Sequence, residues 1–204
     1  MFDLSEFQEL SPLPHRLHID RLSSATEIAS NFYPHADRDL NLYKEMVPCL
    51  HDLLTGLTQT KKEVKALDVG CGTGRAAAEL MDAYPGVDMR GITLIFHPPV
   101  ASHKYLPRSR IKICHAGKTG FPERSFDFII AVGSLDTSDT IFEEGRAVLR
   151  LVNQGGIFIL APTTHWFLKQ EIEKLKNHAL ENWFFYSQYT NDYGLPNFIF
   201  KRKD

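Results

Sequence analysis

The sequence predicts an α/β protein built on a mostly parallel sheet with helices on both faces. Three observations predict it. From Glu63 onward, short apolar runs alternate with helix-length stretches, which is the spacing of βαβ units. The first of these runs ends in alternating glycines, Gly70, Gly72 and Gly74, before a helical stretch begins. The last two runs, 183–189 and 196–201, are joined by so short a connection that they pair antiparallel, because a parallel crossover takes about a dozen residues or more.

In chain order, residues 1–20 carry Pro12, Pro14, His15 and His18 with little periodicity, so an irregular arm is expected. Ser23 or Ser24 can cap a first helix, with Glu27 at capping-box spacing. A second helix is expected over 39–56, where Leu40, Tyr43, Val47, Leu50 and Leu54 recur every three or four residues. Pro48 lies inside it and predicts a kink or a split. Residues 1–60 are expected to form a cap or lid belonging to the same domain as an α/β body over 61–204.

In that body, a strand over 64–69 leads into the glycines and a helix over 75–83. Tyr84-Pro85-Gly86 punctuates, and a second strand is expected over 87–94. Pro98, Pro99 and Pro107 bracket a short helix or loop before a third strand over 111–114. The fourth, over 126–132, is dense in Phe and Ile. A helix over 141–152 is expected to close on Asn153-Gln154-Gly155-Gly156, followed by a fifth strand over 157–160 and a helix over 166–180.

Composition narrows the function classes. The chain has 204 residues with 43% hydrophobic and 24% charged, which excludes disordered and fibrous classes. Cys49, Cys71 and Cys114 are odd in number and lack a C-x-x-C pairing, so neither a disulfide scaffold nor a zinc ribbon is expected, and a reducing interior is favoured. No metal site is expected, because the histidines show no helical pairing with carboxylates. Lys and Arg total 23 against 25 Asp and Glu, a net charge of −2. A domain that grips nucleic acid usually shows a basic excess. No apolar run approaches the ~18–20 residues that span a bilayer, and the acidic start does not read as a secretory leader. The expectation is a cytoplasmic protein with no membrane partner.

Leu67-Asp68-Val69-Gly70-Cys71-Gly72-Thr73-Gly74 is the most informative stretch. Glycine is needed where the backbone takes left-handed dihedrals or where a ligand lies against the main chain. A dinucleotide loop wants its third glycine at position 75, which is Arg75, and a phosphate-binding Walker loop wants a lysine that does not follow here. The third pattern, G-x-G-x-G after a strand, is that of S-adenosylmethionine-dependent methyltransferases. A glycine turn with no ligand is the bland alternative, and the acid two residues before Gly70 argues against it.

From about residue 63 onward the chain resembles a class I methyltransferase of the small, type 11-like kind. Phe121-Pro122-Glu123-Arg124-Ser125-Phe126-Asp127 resembles the family's approach to its fourth strand. Arg150-Leu151-Val152-Asn153-Gln154-Gly155-Gly156 resembles its turn into the fifth. The resemblance implies a seven-stranded sheet in the order 3-2-1-4-5-7-6 with the last pair antiparallel. It places S-adenosylmethionine across the switch point between strands one and four, where open α/β sheets bind ligands. Asp68 would hold the methionine amino group, and the backbone at Gly70, Cys71, Gly72 and Gly74 would lie along the methionyl and ribose parts.

Further contacts are implied at Thr93 and Leu94 after strand two, at His115 and Ala116 after strand three, and at Val132 after strand four. Thr93 stands where the family usually has a carboxylate for both ribose hydroxyls, and a threonine cannot accept from both. The lost charge-assisted pair is worth ~1.5–3 kcal/mol. His115 stands where an aspartate usually meets the adenine amino group.

No catalytic residue is assigned from the sequence. His97 and His165 are candidate bases, with surface or capping roles the more frequent outcome for such histidines. Asp136 and Lys169 do not complete a ribose-methylating set. Tyr33 and Tyr43 lie where the family lids its cofactor, and a core role is expected for them. Trp166, Phe167, Trp183, Phe184 and Phe185 are expected to pack on the sheet. The function expected is methyl transfer to a small-molecule acceptor. The alternative is a methyltransferase fold altered into a binding or interaction protein, which Thr93 and His115 favour.

Overall fold

The computed structural model describes residues 37–94, 104–135, 141–162, 169–179, 182–190, 194 and 196–203. Chain order gives α1 (Leu40–Met46), α2 (Leu50–Thr60), β1 (Val64–Val69), α3 (Arg75–Ala83), β2 (Val87–Thr93), β3 (Ile111–Ile113), β4 (Phe126–Val132), α4 (Ile141–Leu151), β5 (Val152–Ala161), α5 (Lys169–Ala179), β6 (Trp183–Thr190) and β7 (Pro196–Arg202). Single 3-10 turns, Arg108–Arg110 and Ala116–Lys118, flank β3.

The sheet order is β3-β2-β1-β4-β5-β7-β6, as the resemblance implies. β1 through β5 pair in parallel, whereas β7 runs antiparallel to both β5 and β6. After β1 the chain goes outward to β2 and β3, then returns to the other side of β1 as β4. That reversal makes the β1/β4 boundary the switch point. β4 is buried at all positions, as expected of a strand covered on both faces.

The two faces carry separate cores. Val64 and Ala66 of β1, Phe128 and Ile130 of β4, Ile157 and Ile159 of β5 and Ile199 of β7 pack with α1, α2 and α3. Leu67 and Val69, Ile129 and Ala131, Phe158 and Leu160, and Phe198 and Phe200 pack with α4 and α5. The period-two alternation of a strand therefore turns Asp68 toward the α1 side.

The helix expected over 39–56 is split at Pro48, as that proline predicts, into α1 and α2, with Val47 and Cys49 between them. One boundary differs from expectation. The Asn153-Gln154-Gly155-Gly156 stretch is a bulge inside β5 rather than a closing turn. Phe126 pairs with Val152 and Phe128 with Ile157, so β5 advances five residues while β4 advances two. A Cβ on Gly156 would lie 2.9 Å from the Asp127 carbonyl, so only glycine lets the bulge fold this tightly. Of the helix expected over 166–180, residues 169–179 are described and are helical. The Ser23/Ser24 cap, Tyr33, and the aromatic residues Trp166 and Phe167 lie outside the described residues. Of the remaining aromatic tail, Trp183 is buried and Phe185 packs on the α4–α5 core, while Phe184 is half exposed with Lys203 over its ring.

Among the described residues no helix is long and apolar enough to cross a membrane, and no group of three or more His, Cys, Asp or Glu is placed to hold a metal.

Candidate cofactor site at the switch point

The glycine loop links β1 to α3 through three left-handed residues, Gly70 at φ +80°, Gly72 at +55° and Gly74 at +79°. The loop consumes much of its own hydrogen-bonding capacity. The Gly70 and Cys71 N–H groups both donate to the Ile92 carbonyl, at 2.8 and 2.9 Å, and Gly74 N–H donates to the Cys71 carbonyl at 2.8 Å. With those donors turned inward, the loop is poorly suited to cradle a phosphate, which needs converging N–H groups.

Close packing fixes the loop from three sides. A Cβ on Gly91 of β2 would collide with the Cys71 side chain, so the glycine makes room for that buried residue. A Cβ on Gly74 would sit 3.0 Å from the Leu106 Cβ, and Leu106 N–H donates to the Gly74 carbonyl at 3.2 Å. A Cβ on Gly70 would collide with that of Ser134, whose hydroxyl donates to the Val69 carbonyl at 2.6 Å. Gly70→Ala therefore combines a left-handed penalty with a clash against a main-chain-anchored atom. It is expected to cost about 3 kcal/mol, read as a lowered urea midpoint with an unchanged slope.

Asp68 is fully buried at the end of β1. The Tyr43 hydroxyl, also buried, lies 3.0 and 2.9 Å from the two Asp68 carboxylate oxygens and donates to that group. Burial pushes the Asp68 carboxyl up to about 7, against the opposing pull of the Tyr43 hydrogen bond and the Arg38 charge. Burial likewise raises the Tyr43 phenol, with the Asp68 charge adding to it. Arg38 reaches across the switch point, donating to the Val132 carbonyl and, at 2.9 Å, to the Gly133 carbonyl at the end of β4.

The segment holding Arg38 and Tyr43 is anchored on α3. Arg75 donates to Glu79 at 2.9 Å and lies 3.6 Å from both Asp37 and Asp39. Glu79 also accepts from Leu40 N–H at 2.8 Å, Ala76 N–H donates to the Arg38 carbonyl at 3.0 Å, and Thr73 donates to Asp37 at 3.1 Å. Arg75, the residue that breaks the dinucleotide pattern, thus holds the Asp37–Asp39 segment beside the loop.

The remaining predicted positions spread along the strand ends. Thr93 is buried at the end of β2 and Leu94 is partly exposed. Ala116 is buried at the start of its 3-10 turn. The His115 side chain is 59% exposed and lies 3.9 Å from Glu144 of α4, so its described partner is on the α4 face. Val132 is buried and contributes its carbonyl to Arg38. Cys71 is buried and its thiol is raised by that burial, so it is inert packing against Gly91. His97, Asp136 and His165, and the side chain of Lys169, lie outside the described residues.

Residues 67–160 match a family model described as a methyltransferase domain. That span runs from β1 through β5 and includes the glycine loop and the switch point. No curated protein sequence matches the chain. Solved structures resemble it at the level of fold. A 1,6-didemethyltoxoflavin N1-methyltransferase from Burkholderia thailandensis is 18% identical, with 95% of this chain and 93% of that one covered and a TM-score of 0.59. The (4+2)-cyclase SpnF is 19% identical over 76% and 79% of the two chains, TM-score 0.53. A methyltransferase from Methanosarcina mazei is 18% identical over 76% and 97%, TM-score 0.51. A cyclase among the relatives of this fold means that architecture alone does not settle the reaction.

The switch point presents a set of acceptors: the Asp68 carboxylate with the Val132 and Gly133 carbonyls. A guanidinium already lies against those carbonyls, and its charge acts on Asp68. A ligand carrying an ammonium group fits this chemistry.

Proposed function

We propose that the chain transfers a methyl group from S-adenosylmethionine to a small-molecule acceptor. The observation that carries the reading is the buried Asp68 at the end of β1, beside three left-handed glycines, inside a methyltransferase domain. The sulfonium of S-adenosylmethionine supplies an already electrophilic methyl group, so the protein's contribution is alignment and exclusion of water.

In this reading Asp68 accepts from the cofactor's ammonium, and the loop at Gly70, Cys71, Gly72 and Gly74 lies along its methionyl and ribose parts. Thr93 and Leu94 face the ribose, His115 and Ala116 the adenine, and Val132 flanks the reacting end. Residues 37–60, as the described part of the 1–60 lid, close over them. Three things support a small acceptor: the near-balanced charge, the 204-residue length, and the small molecule named with the Burkholderia enzyme. The three free cysteines support a cytoplasmic setting.

A second reading, a methyltransferase fold turned to binding without transfer, is favoured by one observation. Tyr43 and Arg38 already satisfy the acceptors that a cofactor would need.

Calorimetric titration with S-adenosylhomocysteine separates the two. The enzyme reading expects one site per chain, weakened about 10- to 100-fold by Asp68→Ala, the worth of a charge-assisted hydrogen bond. Absence of heat at millimolar ligand leaves the binding-protein reading standing and removes the enzyme.

A further inference from the structure

We infer that Arg38 is a built-in competitor of the cofactor: its guanidinium occupies the cation position at the switch point and must leave before a ligand enters. The inference rests on the cofactor reading above and goes beyond it, because it assigns an autoinhibitory role to a residue outside the matched domain.

The geometry is specific. Arg38 spends its planar fork on two consecutive carbonyls, Val132 and Gly133, which close β4 beside the switch point. Its positive charge also favours the ionised form of Asp68 at the end of β1. Tyr43, five residues on, fills the space over the Asp68 carboxylate. The stretch from Asp37 to Asp39 is fastened to the end of the glycine loop and to α3 through Thr73, Arg75 and the Ala76 N–H. The ammonium of a cofactor that reaches Asp68 would bring a second positive charge to acceptors that Arg38 already holds, and two cations compete for one such set.

The affinity seen in solution is therefore the intrinsic affinity multiplied by the fraction of molecules with the arginine withdrawn. Removing the guanidinium raises that fraction. The Arg38 carbonyl, which anchors the lid to Ala76, survives any side-chain substitution.

The test compares the full chain with Arg38→Ala and Arg38→Lys, measuring S-adenosylhomocysteine affinity by calorimetry and unliganded melting by scanning calorimetry at one pH. The expected result is a lower melting temperature without ligand and about tenfold tighter binding for Arg38→Ala. Arg38→Lys falls between, because a lysine keeps the charge but loses the two-carbonyl fork. If Arg38→Ala does not fold, tightening in Arg38→Lys alone carries the result. Unchanged or weaker binding in both variants overturns it and leaves the cofactor reading intact, since the unaltered chain still binds. Failure of all three proteins to bind at millimolar ligand removes the inference together with the cofactor reading.

Discussion

Asp68→Asn stabilises the unliganded protein at pH 8 by about 2 kcal/mol while weakening its cofactor site. The sign follows from the direction of the shift. Burial raises the folded-state carboxyl to about 7, well above the ~4 of an unfolded aspartate. Between those values the folded protein holds a proton that the unfolded chain has released, so stability from this group is present at acid pH. It declines as pH rises toward 7 and is fully lost above it. An asparagine keeps an oxygen to accept from Tyr43 and carries no charge to desolvate, although its own N–H groups offset part of the gain. The measurement is melting temperature against pH for both proteins. The two curves are expected to coincide near pH 4–5 and to separate by about 4–8 °C at pH 8. A constant offset across the range would mean that Asp68 is ionised throughout and that the Tyr43 contact has another origin.

Asp127→Ala acts at the opposite end of the sheet and in the opposite direction. Asp127, buried at the start of β4, accepts from Lys61 Nζ at 2.6 Å, Lys65 N–H at 2.9 Å and Asn153 Nδ2 at 2.8 Å. It therefore ties together the residue after α2, the start of β1 and the β5 bulge. Burial pushes its carboxyl upward, but the hydrogen bonds from Lys61, Asn153 and the Lys65 amide outweigh that and leave it lowered. A lowered carboxyl contributes stability above the unfolded aspartate value and loses it as pH falls through the folded one. The alanine strands two donors and one ammonium, and a loss of about 3 kcal/mol, or roughly 6–12 °C in melting temperature, is expected. The unaltered protein should also lose stability steeply in acid in a way that the variant does not. A variant that melts within a degree or two of the parent would show the triad to be surface decoration.

Local signals made most of this architecture legible. Glycine at 70, 72 and 74 encodes backbone angles that other residues resist, so the loop could be read residue by residue. The Phe and Ile content of β4 announces a strand buried on both faces, and Pro48 announces the break between α1 and α2. The family resemblance supplied the strand order that periodicity could not. What escaped the sequence is which side chains hold the acceptors at the switch point. Arg38 meets carbonyls 94 and 95 residues away, and nothing in its neighbours Asp37 and Asp39 signals that reach. Tyr43 fell on the apolar stripe of a helix and read as core; it is core, and its hydroxyl also holds Asp68. The β5 bulge was hidden because Asn-Gln-Gly-Gly has the composition of a turn, and only pairing with β4 shows the strand already under way.

In the proposed complex the adenosyl ligand lies across the β1/β4 boundary with its amine on Asp68. A crystal structure of the protein grown with S-adenosylhomocysteine is the decisive test. Ligand is expected beside Gly70, Gly72 and Gly74, its ammonium within hydrogen-bond distance of the Asp68 carboxylate, and the Arg38 side chain withdrawn from the Val132 and Gly133 carbonyls. Crystals from saturating ligand in which Arg38 and Tyr43 keep their present partners, with the ligand elsewhere or nowhere, would contradict it.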